Sequence, residues 1–444
     1  TRASGTAWDD IGIRREIGTI AAELDALWSL TKRNVSQAER TGVPGPGGNI
    51  FKLHYAAVRE RLGDVAFRVL ERASLSLDPV EGMGQANQVE ERIYALSLRI
   101  AAGTSQINKN SVGERVLGLP KERRTVDFEL STDQEALRDG IRNLCQGRFP
   151  METVRGLAEA GGVDRGLWSE LAETGVFSLV LPEPDGVGLG WADAVLVLEE
   201  LGRAAVPGPL VPTLLAGGAI EGAATGDVIV GVVDREGGPA MVECFEALDV
   251  LIALDDAGVW SIDPAELDAV AAGEPLDPLT PVHRVASLPL GSRVGDAEMA
   301  ASWRARGAAL TAALQLGLAE SALELSVAYA KEREQFGKPI GSFQAIKHLC
   351  ADMLTLVEVA RAAVYAAGVV ADDPAIDDPA RLASVAKITA DHAATRCGKH
   401  CIQVHGGMGY TWEVDAHLYL KRAWVLEQAF GDPDHHALVM ADLL

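Results

Sequence analysis

The chain has 444 residues, 48% of them hydrophobic, enough to bury more than one core and to make two or three domains. Its 63 acidic side chains outnumber the 40 basic ones, and the formal charge of −23 argues against nucleic acid or an anionic membrane surface as a general partner. The five cysteines (145, 244, 350, 397 and 401) lack the spacing of a secreted disulfide framework, no basic segment leads into an apolar run at the N-terminus, and the longest apolar stretch, near Leu210 to Ile220, is too short to cross a bilayer; a reducing cytoplasm and no membrane are expected.

Residues 11–40 put Ile13, Ile17, Ile20, Leu24, Leu27 and Val35 near helical spacing with charges between them, which predicts one amphipathic helix. It must stop at Gly42-Val43-Pro44-Gly45-Pro46-Gly47-Gly48. A second helix is expected over about 50–72 and a third over about 88–100; after Gly103-Thr104-Ser105 a short one leads to a charged linker at 119–124. Ser131-Thr132-Asp133-Gln134 then reads as a new helix start, and several helices follow to about Ala224. Over 228–294 the character changes: 228–233, 250–254 and 259–262 read as short strands between turn residues. Ala300 to Lys331 predicts a long helix, with others near 342–370, 379–406 and 414–428. The expected divisions are 1–120, 121–226, 227–295 and 296–444.

Two runs near the end carry chemistry: Glu332-Arg333-Glu334-Gln335-Phe336-Gly337-Lys338-Pro339-Ile340 and Gln403-Val404-His405-Gly406-Gly407-Met408-Gly409-Tyr410. A cation and a phenyl ring in a loop, with a glycine pair where backbone must approach a ligand closely, suit a pyrophosphate and an adenosine. Together the runs resemble the flavin-contacting signature of acyl-CoA dehydrogenases. The resemblance implies a mainly α fold with a small β domain: an N-terminal helical domain, a reduced β domain and a C-terminal four-helix bundle, preceded here by a second C-terminal helical domain.

That second copy rests on an internal repeat. Asn49-Ile50-Phe51-Lys52-Leu53 can be laid on Ser384-Val385-Ala386-Lys387-Ile388, and sixteen residues beyond each lysine stand Arg68 and Gln403. Gly406 and Gly407 then face Glu71 and Arg72, so the first copy lacks the glycine pair. The first copy ends with Gly103-Thr104-Ser105-Gln106, which resembles the family's closing motif; the second ends Phe430-Gly431-Asp432 without it. Complementary losses imply one complete FAD site per pair of copies, with Arg333, Gln335, Phe336, Gln403, Gly406 and Gly407 from one copy and Thr104 and Gln106 from the other. The family's Thr-Glu-Pro…Gly-Ser-Asp segment is missing between Asp185 and Val259.

Acyl-CoA dehydrogenation needs a carboxylate for the α proton. The family places it at one of two positions, occupied here by Ala102 or Phe430 and, on the long helix, by Gly307. None takes a proton, so the base is expected on a helix ahead of residue 1; Glu320 and Glu324 are substitutes, more simply read as helix-pairing glutamates. Cys397, Cys401 and His405 offer a weaker zinc alternative, and His435-His436 reads as a solvated pair in a terminal turn. The resemblance further implies FAD, an acyl-CoA substrate, possibly a bulky steroid side-chain ester as in actinobacterial two-copy enzymes, an electron-transfer flavoprotein, and a homodimer of pseudo-dimers or a heteromer. The competing expectation is a non-catalytic FAD-clamping partner subunit.

Overall fold

The computed structural model describes residues 6–41, 47–70, 91–92, 94–95, 130–159, 161–235 and 238–443. The calls on the helix at 88–100, apart from four residues, and on Ala102, Thr104 and Gln106 lie outside the described residues.

The chain opens with two long helices, α1 (Ile11–Thr41) and α2 (Gly47–Leu70), joined across the Gly/Pro breaker. A second helical group follows: α3 (Thr132–Arg148), α4 (Met151–Gly156), α5 (Arg165–Glu173), α6 (Trp191–Arg203) and α7 (Leu210–Ala216). The start expected at Ser131 is present as a reciprocal cap. Ser131 Oγ accepts from the Gln134 amide at 3.2 Å while Gln134 Oε1 accepts from the Ser131 amide at 3.1 Å, so two end donors are satisfied.

The β region holds more strands than the sequence pattern reveals. β1 (Val230–Asp234) pairs parallel with β3 (Val250–Asp255), which continues antiparallel through β4 (Gly258–Ile262) to β7 (Ser292–Asp296). A second sheet runs β2 (Ala240–Glu243), β6 (Val282–Val285), β5 (Ala269–Ala271). The unforeseen strands are short and half exposed; Met241, Arg284 and Val270 stand side by side on an outer face, so no apolar run marks them.

Five further helices and a two-stranded hairpin close the chain: α8 (Ala297–Glu332), hairpin strands β8 (Glu334–Gln335) and β9 (Lys338–Pro339), α9 (Gln344–Asp372), α10 (Pro379–His405), α11 (Ala416–Gln428) and α12 (Pro433–Asp442). α8 is buried nearly all round through its middle, which suits its small, alanine-rich sequence. α9 is the one helix among the described residues long and apolar enough to cross a membrane, and two thirds of its apolar window is buried in the bundle.

α1 and α2 pack on this bundle. A Cβ at Gly18 of α1 would lie 1.8 Å from the Ala437 carbonyl oxygen of α12, so the two backbones touch. Ion pairs join Arg14 to Asp442, Arg15 to Asp434, Arg33 to Glu358 and Arg381 to Asp25.

Candidate functional site

One end of the bundle gathers both sequence runs. Phe336 and Gly337 form a two-residue hairpin turn with φ of +54° and +75°, the left-handed pair that such a turn requires. Glycine accepts this freely, whereas a phenylalanine there costs about 1–2 kcal/mol. The ring meets Phe343 edge-on with centroids 6.0 Å apart but is otherwise turned to solvent, Phe336 being 92% exposed. Arg333, at the base of the hairpin, is exposed and makes no ion pair among the described residues. Gln335 is exposed beside it, and its side-chain amide donates to the neighbouring Glu334 carbonyl at 2.7 Å.

The end of α10 arrives at the same place. Tyr329, four residues before Arg333, stacks on His405 with ring centroids 4.3 Å apart, and Ala330, Ile340 and Val404 share one small apolar cluster. Gly406 follows directly, with φ +63° and ψ −138°, a conformation open to glycine alone. A Cβ at Gly406 or Gly407 would meet no atom of the chain within 4 Å. Gln403 is exposed one turn earlier, and Tyr410 and Trp412 continue the exposed surface. The result is a guanidinium, an aromatic ring and bare backbone facing outward, a donor set suited to an anionic, aromatic ligand.

The opposite end of the bundle is closed. Gly307 and Phe430, far apart in sequence, meet there: a Cβ at Gly307 would lie 2.2 Å from the Phe430 ring. Phe430 is 9% exposed and holds φ +54°. Two buried groups fix its loop. Lys387 Nζ donates to the Leu426 and Glu427 carbonyls at 3.0 and 2.9 Å, and His436 Nε2 lies 3.0 Å from the Phe430 carbonyl while its Nδ1 lies 3.0 Å from Ser384 Oγ. His436 is therefore a core residue, not half of a solvated pair; the expected terminal turn is helix α12, capped by Asp432, and it carries His436 inward. Burial lowers Lys387 to about 8 and raises nearby Asp391 to about 7.

Comparison with known proteins decides the family. The acyl-CoA dehydrogenase N-terminal domain matches residues 131–227 and the C-terminal domain matches residues 300–444. The acyl-CoA dehydrogenase IpdE2 of Mycolicibacterium smegmatis is 36% identical over 320 residues, covering 68% of this chain and 96% of that protein. The chain belongs to the acyl-CoA dehydrogenase family. The acyl-CoA dehydrogenase FadE34 of Mycobacterium tuberculosis is 37% identical over 336 residues, 67% of this chain but only 45% of its own length. Among solved structures, the ChsE4-ChsE5 complex from Mycobacterium tuberculosis has a TM-score of 0.61 at 26% identity, covering 70% of this chain and 96% of that one. A steroid acyl-CoA dehydrogenase, Tcur3481-Tcur3483, shares the fold with a TM-score of 0.62 at 24% identity, covering 70% and 97%.

Within this acyl-CoA dehydrogenase fold, Glu320 and Glu324 are not free carboxylates. Arg203 donates to both, at 2.8 Å in each case, and Arg361 also pairs with Glu320. Burial works against ionisation, but Arg361 and Arg203 outweigh it and hold Glu320 down at about 2. Cys350, Cys397 and Cys401 are buried thiols whose pKa burial raises, and among the described residues no group of three or more His, Cys, Asp or Glu is placed to hold a metal ion.

Proposed function

We propose that the chain takes part in FAD-dependent α,β-dehydrogenation of an acyl-CoA thioester, as the copy that grips one end of an FAD site completed by another. Residues 1–120 are the C-terminal helical domain of a first copy, and 121–444 a second copy divided near 226 and 295. The observation that carries this is the pairing of an outward-facing clamp with a plugged interior. Arg333, Gln335, Phe336, Gln403, Gly406 and Gly407 would hold the pyrophosphate and adenosine end, with Thr104 and Gln106 contributing to the site from the first copy. When bound, FAD accepts the hydride from the substrate β-carbon while a carboxylate takes the α proton.

The chain's own residues at the base positions do neither. Gly307 and Phe430 carry no titratable group, and the Phe430 ring occupies the space a carboxylate would need. Arg333 supplies charge to a phosphate, the Phe336 ring a face for stacking, and the open glycines backbone contact. More than half of FadE34 lies outside the matched stretch, which is in keeping with further acyl-CoA dehydrogenase sequence beside a segment like this one, on the same polypeptide or another. The ChsE4-ChsE5 complex and the steroid enzyme of the same fold are in keeping with a heteromer and a bulky acyl-CoA such as a steroid side-chain ester; a dimer of pseudo-dimers is the alternative assembly, and an electron-transfer flavoprotein is the acceptor that the family resemblance implies. A non-catalytic clamping subunit is the second reading, and Phe430 favours it.

Flavin absorbance and acyl-CoA turnover with an artificial electron acceptor test the proposal. The chain alone should give no turnover. Activity should appear with a second polypeptide that carries an intact β domain and a carboxylate opposite the flavin, and should fall when Arg333 or Phe336 becomes alanine. Stoichiometric FAD and turnover from the chain alone would overturn it.

A further inference from the structure

One joint in the fold gathers charge from five helices. α6 brings Glu199, Glu200 and Arg203 to it, α3 Arg142, α8 Glu320 and Glu324, α9 Glu358, Arg361 and Tyr365, and α1 Arg33. There the helical group 131–227 meets the C-terminal bundle. Glu200 accepts from Arg142 at 2.9 and 2.6 Å and lies 3.4 Å from Arg203. Glu320 and the exposed Glu324 share Arg203, and Glu358 pairs with Arg33. Arg361 reaches Glu199, Glu320 and Glu358 together.

Among the described residues, five carboxylates of this joint divide four guanidiniums, and they do so unequally. Glu200, Glu320 and Glu358 each touch two guanidiniums, whereas Glu199 touches Arg361 alone, the one that is shared three ways. Its other partner is a phenol: Tyr365 Oη lies 2.7 Å from Glu199 Oε2. The Glu199 side chain is 3% exposed, so water does little to make up the deficit. A buried anion in that position is relieved by taking up a proton. The geometry admits one, because a phenol oxygen accepts as well as donates and 2.7 Å suits an O–H···O bond in either direction. Burial raises Glu199 to about 7 against the pull of Arg361, and Glu320 adds to the rise.

We infer that Glu199 is a proton-operated latch: with its proton it keeps α6 closed on α8 and α9, and without it the joint between the helical group and the bundle loosens. The step moves one proton between the carboxyl group and water. A Glu199 exposed by opening titrates at the ordinary 4.5, so opening releases a proton between pH 4.5 and about 7. Opening therefore becomes about tenfold easier per pH unit across that window and is level above it. Glu320 and Glu358, held down by their guanidiniums in spite of burial, respond only below 4.5. Burial pushes the Cys145 thiol of α3 up to about 12 and keeps Tyr365 neutral. Arg306 and Asp372 meet α6 at its far end, on Trp191. The inference stands apart from the proposed function, since it involves neither the clamp nor FAD.

Hydrogen exchange of the full chain, read by mass spectrometry from about pH 5 to about 8.5 and corrected for intrinsic rates, tests the latch on peptides from α6, with β3 as reference. Protection of α6 should fall about tenfold per pH unit up to about 7 and then hold level. Glu199→Gln, which keeps an acceptor and cannot ionise, should hold α6 at its low-pH protection throughout while β3 keeps the wild-type profile. Glu320→Gln provides a second reading, because it frees Arg361 for Glu199 and should move the levelling point to lower pH. A wild-type α6 profile that is flat from pH 5 to 7 overturns the inference. So does an α6 profile that Glu199→Gln leaves unchanged, a change of equal size at β3, or a levelling point that Glu320→Gln leaves in place or raises.

Discussion

Gly307→Ala should change sign according to what stands at position 430. In the interior of α8 an alanine is worth about 0.5–1 kcal/mol more than glycine through backbone entropy. Here the added carbon would lie 2.2 to 2.6 Å from three atoms of the Phe430 ring, far inside contact distance, and the ring's loop is held by Lys387 and His436. Overpacking of that kind costs about 1–3 kcal/mol, so the single substitution should lose roughly 1–2 kcal/mol net. Phe430→Ala alone should lose about 3–5 kcal/mol, because a buried ring leaves a cavity in a rigid setting. In the Phe430→Ala background the clash is gone, and Gly307→Ala should gain its ordinary 0.5–1 kcal/mol. The two sites would then be coupled by about 2 kcal/mol. Urea unfolding followed by tryptophan fluorescence, compared at constant slope, measures all four corners of the cycle. If Gly307→Ala shifts the midpoint by the same amount in both backgrounds, the ring does not rest on the glycine and the closed interior is refuted.

Three other outcomes are expected. Gly407→Ala meets nothing in the chain and should leave the unfolding midpoint within about 0.5 kcal/mol, yet lower flavin retention in the completed assembly; equal retention would remove the reason given for the open backbone. Asp391 is raised to about 7, so its contribution is fully present below pH 3.8 and is lost as pH rises through about 7. Asp391→Asn should therefore match the wild type in melting temperature near pH 4 and exceed it at pH 8, and parallel curves would contradict the burial argument. Glu320→Gln breaks a buried pairing with Arg203 and Arg361 and should cost on the order of 3 kcal/mol without moving the pH profile of the assembled enzyme. A displaced profile would mean that Glu320 handles a proton.

The long elements were legible because their signals are local. The end of α1 at Thr41, the cap at Ser131 and the alanine-rich run of α8 each carry their own physics and appear where the pattern puts them, although α2 begins at Gly47, within the stretch read as a breaker. The short strands β2, β5 and β6 were hidden because three or four half-exposed residues carry no period. At the proposed clamp, residue type and spacing singled out Arg333 and the glycine pair, and the structure brings them to one end of the bundle. What spacing could not show was that Phe336 stands in a left-handed turn with its ring edge-on to Phe343, or that Gly307 and Phe430 touch, since tertiary contact alone brings them together. His436 was misjudged for the same reason. A histidine two residues past Asp434 looks solvated until α12 turns it toward Ser384.

The packing of α1 and α2 on the bundle has a consequence for how such a chain ages. Arg14, Arg15, Arg33 and Arg381 tie together segments that lie hundreds of residues apart on one polypeptide, so the interface forms at an effective concentration of about millimolar whatever the expression level. Both halves are inherited, translated and degraded as a unit, in a ratio fixed at one to one. A defect in either half is then always presented to the same neighbour, and a lesion that this neighbour tolerates once is tolerated in every molecule. On the proposed two-copy reading, covalent linkage turns a contact between copies into a genetic ratchet, along which each half can shed what the other still supplies.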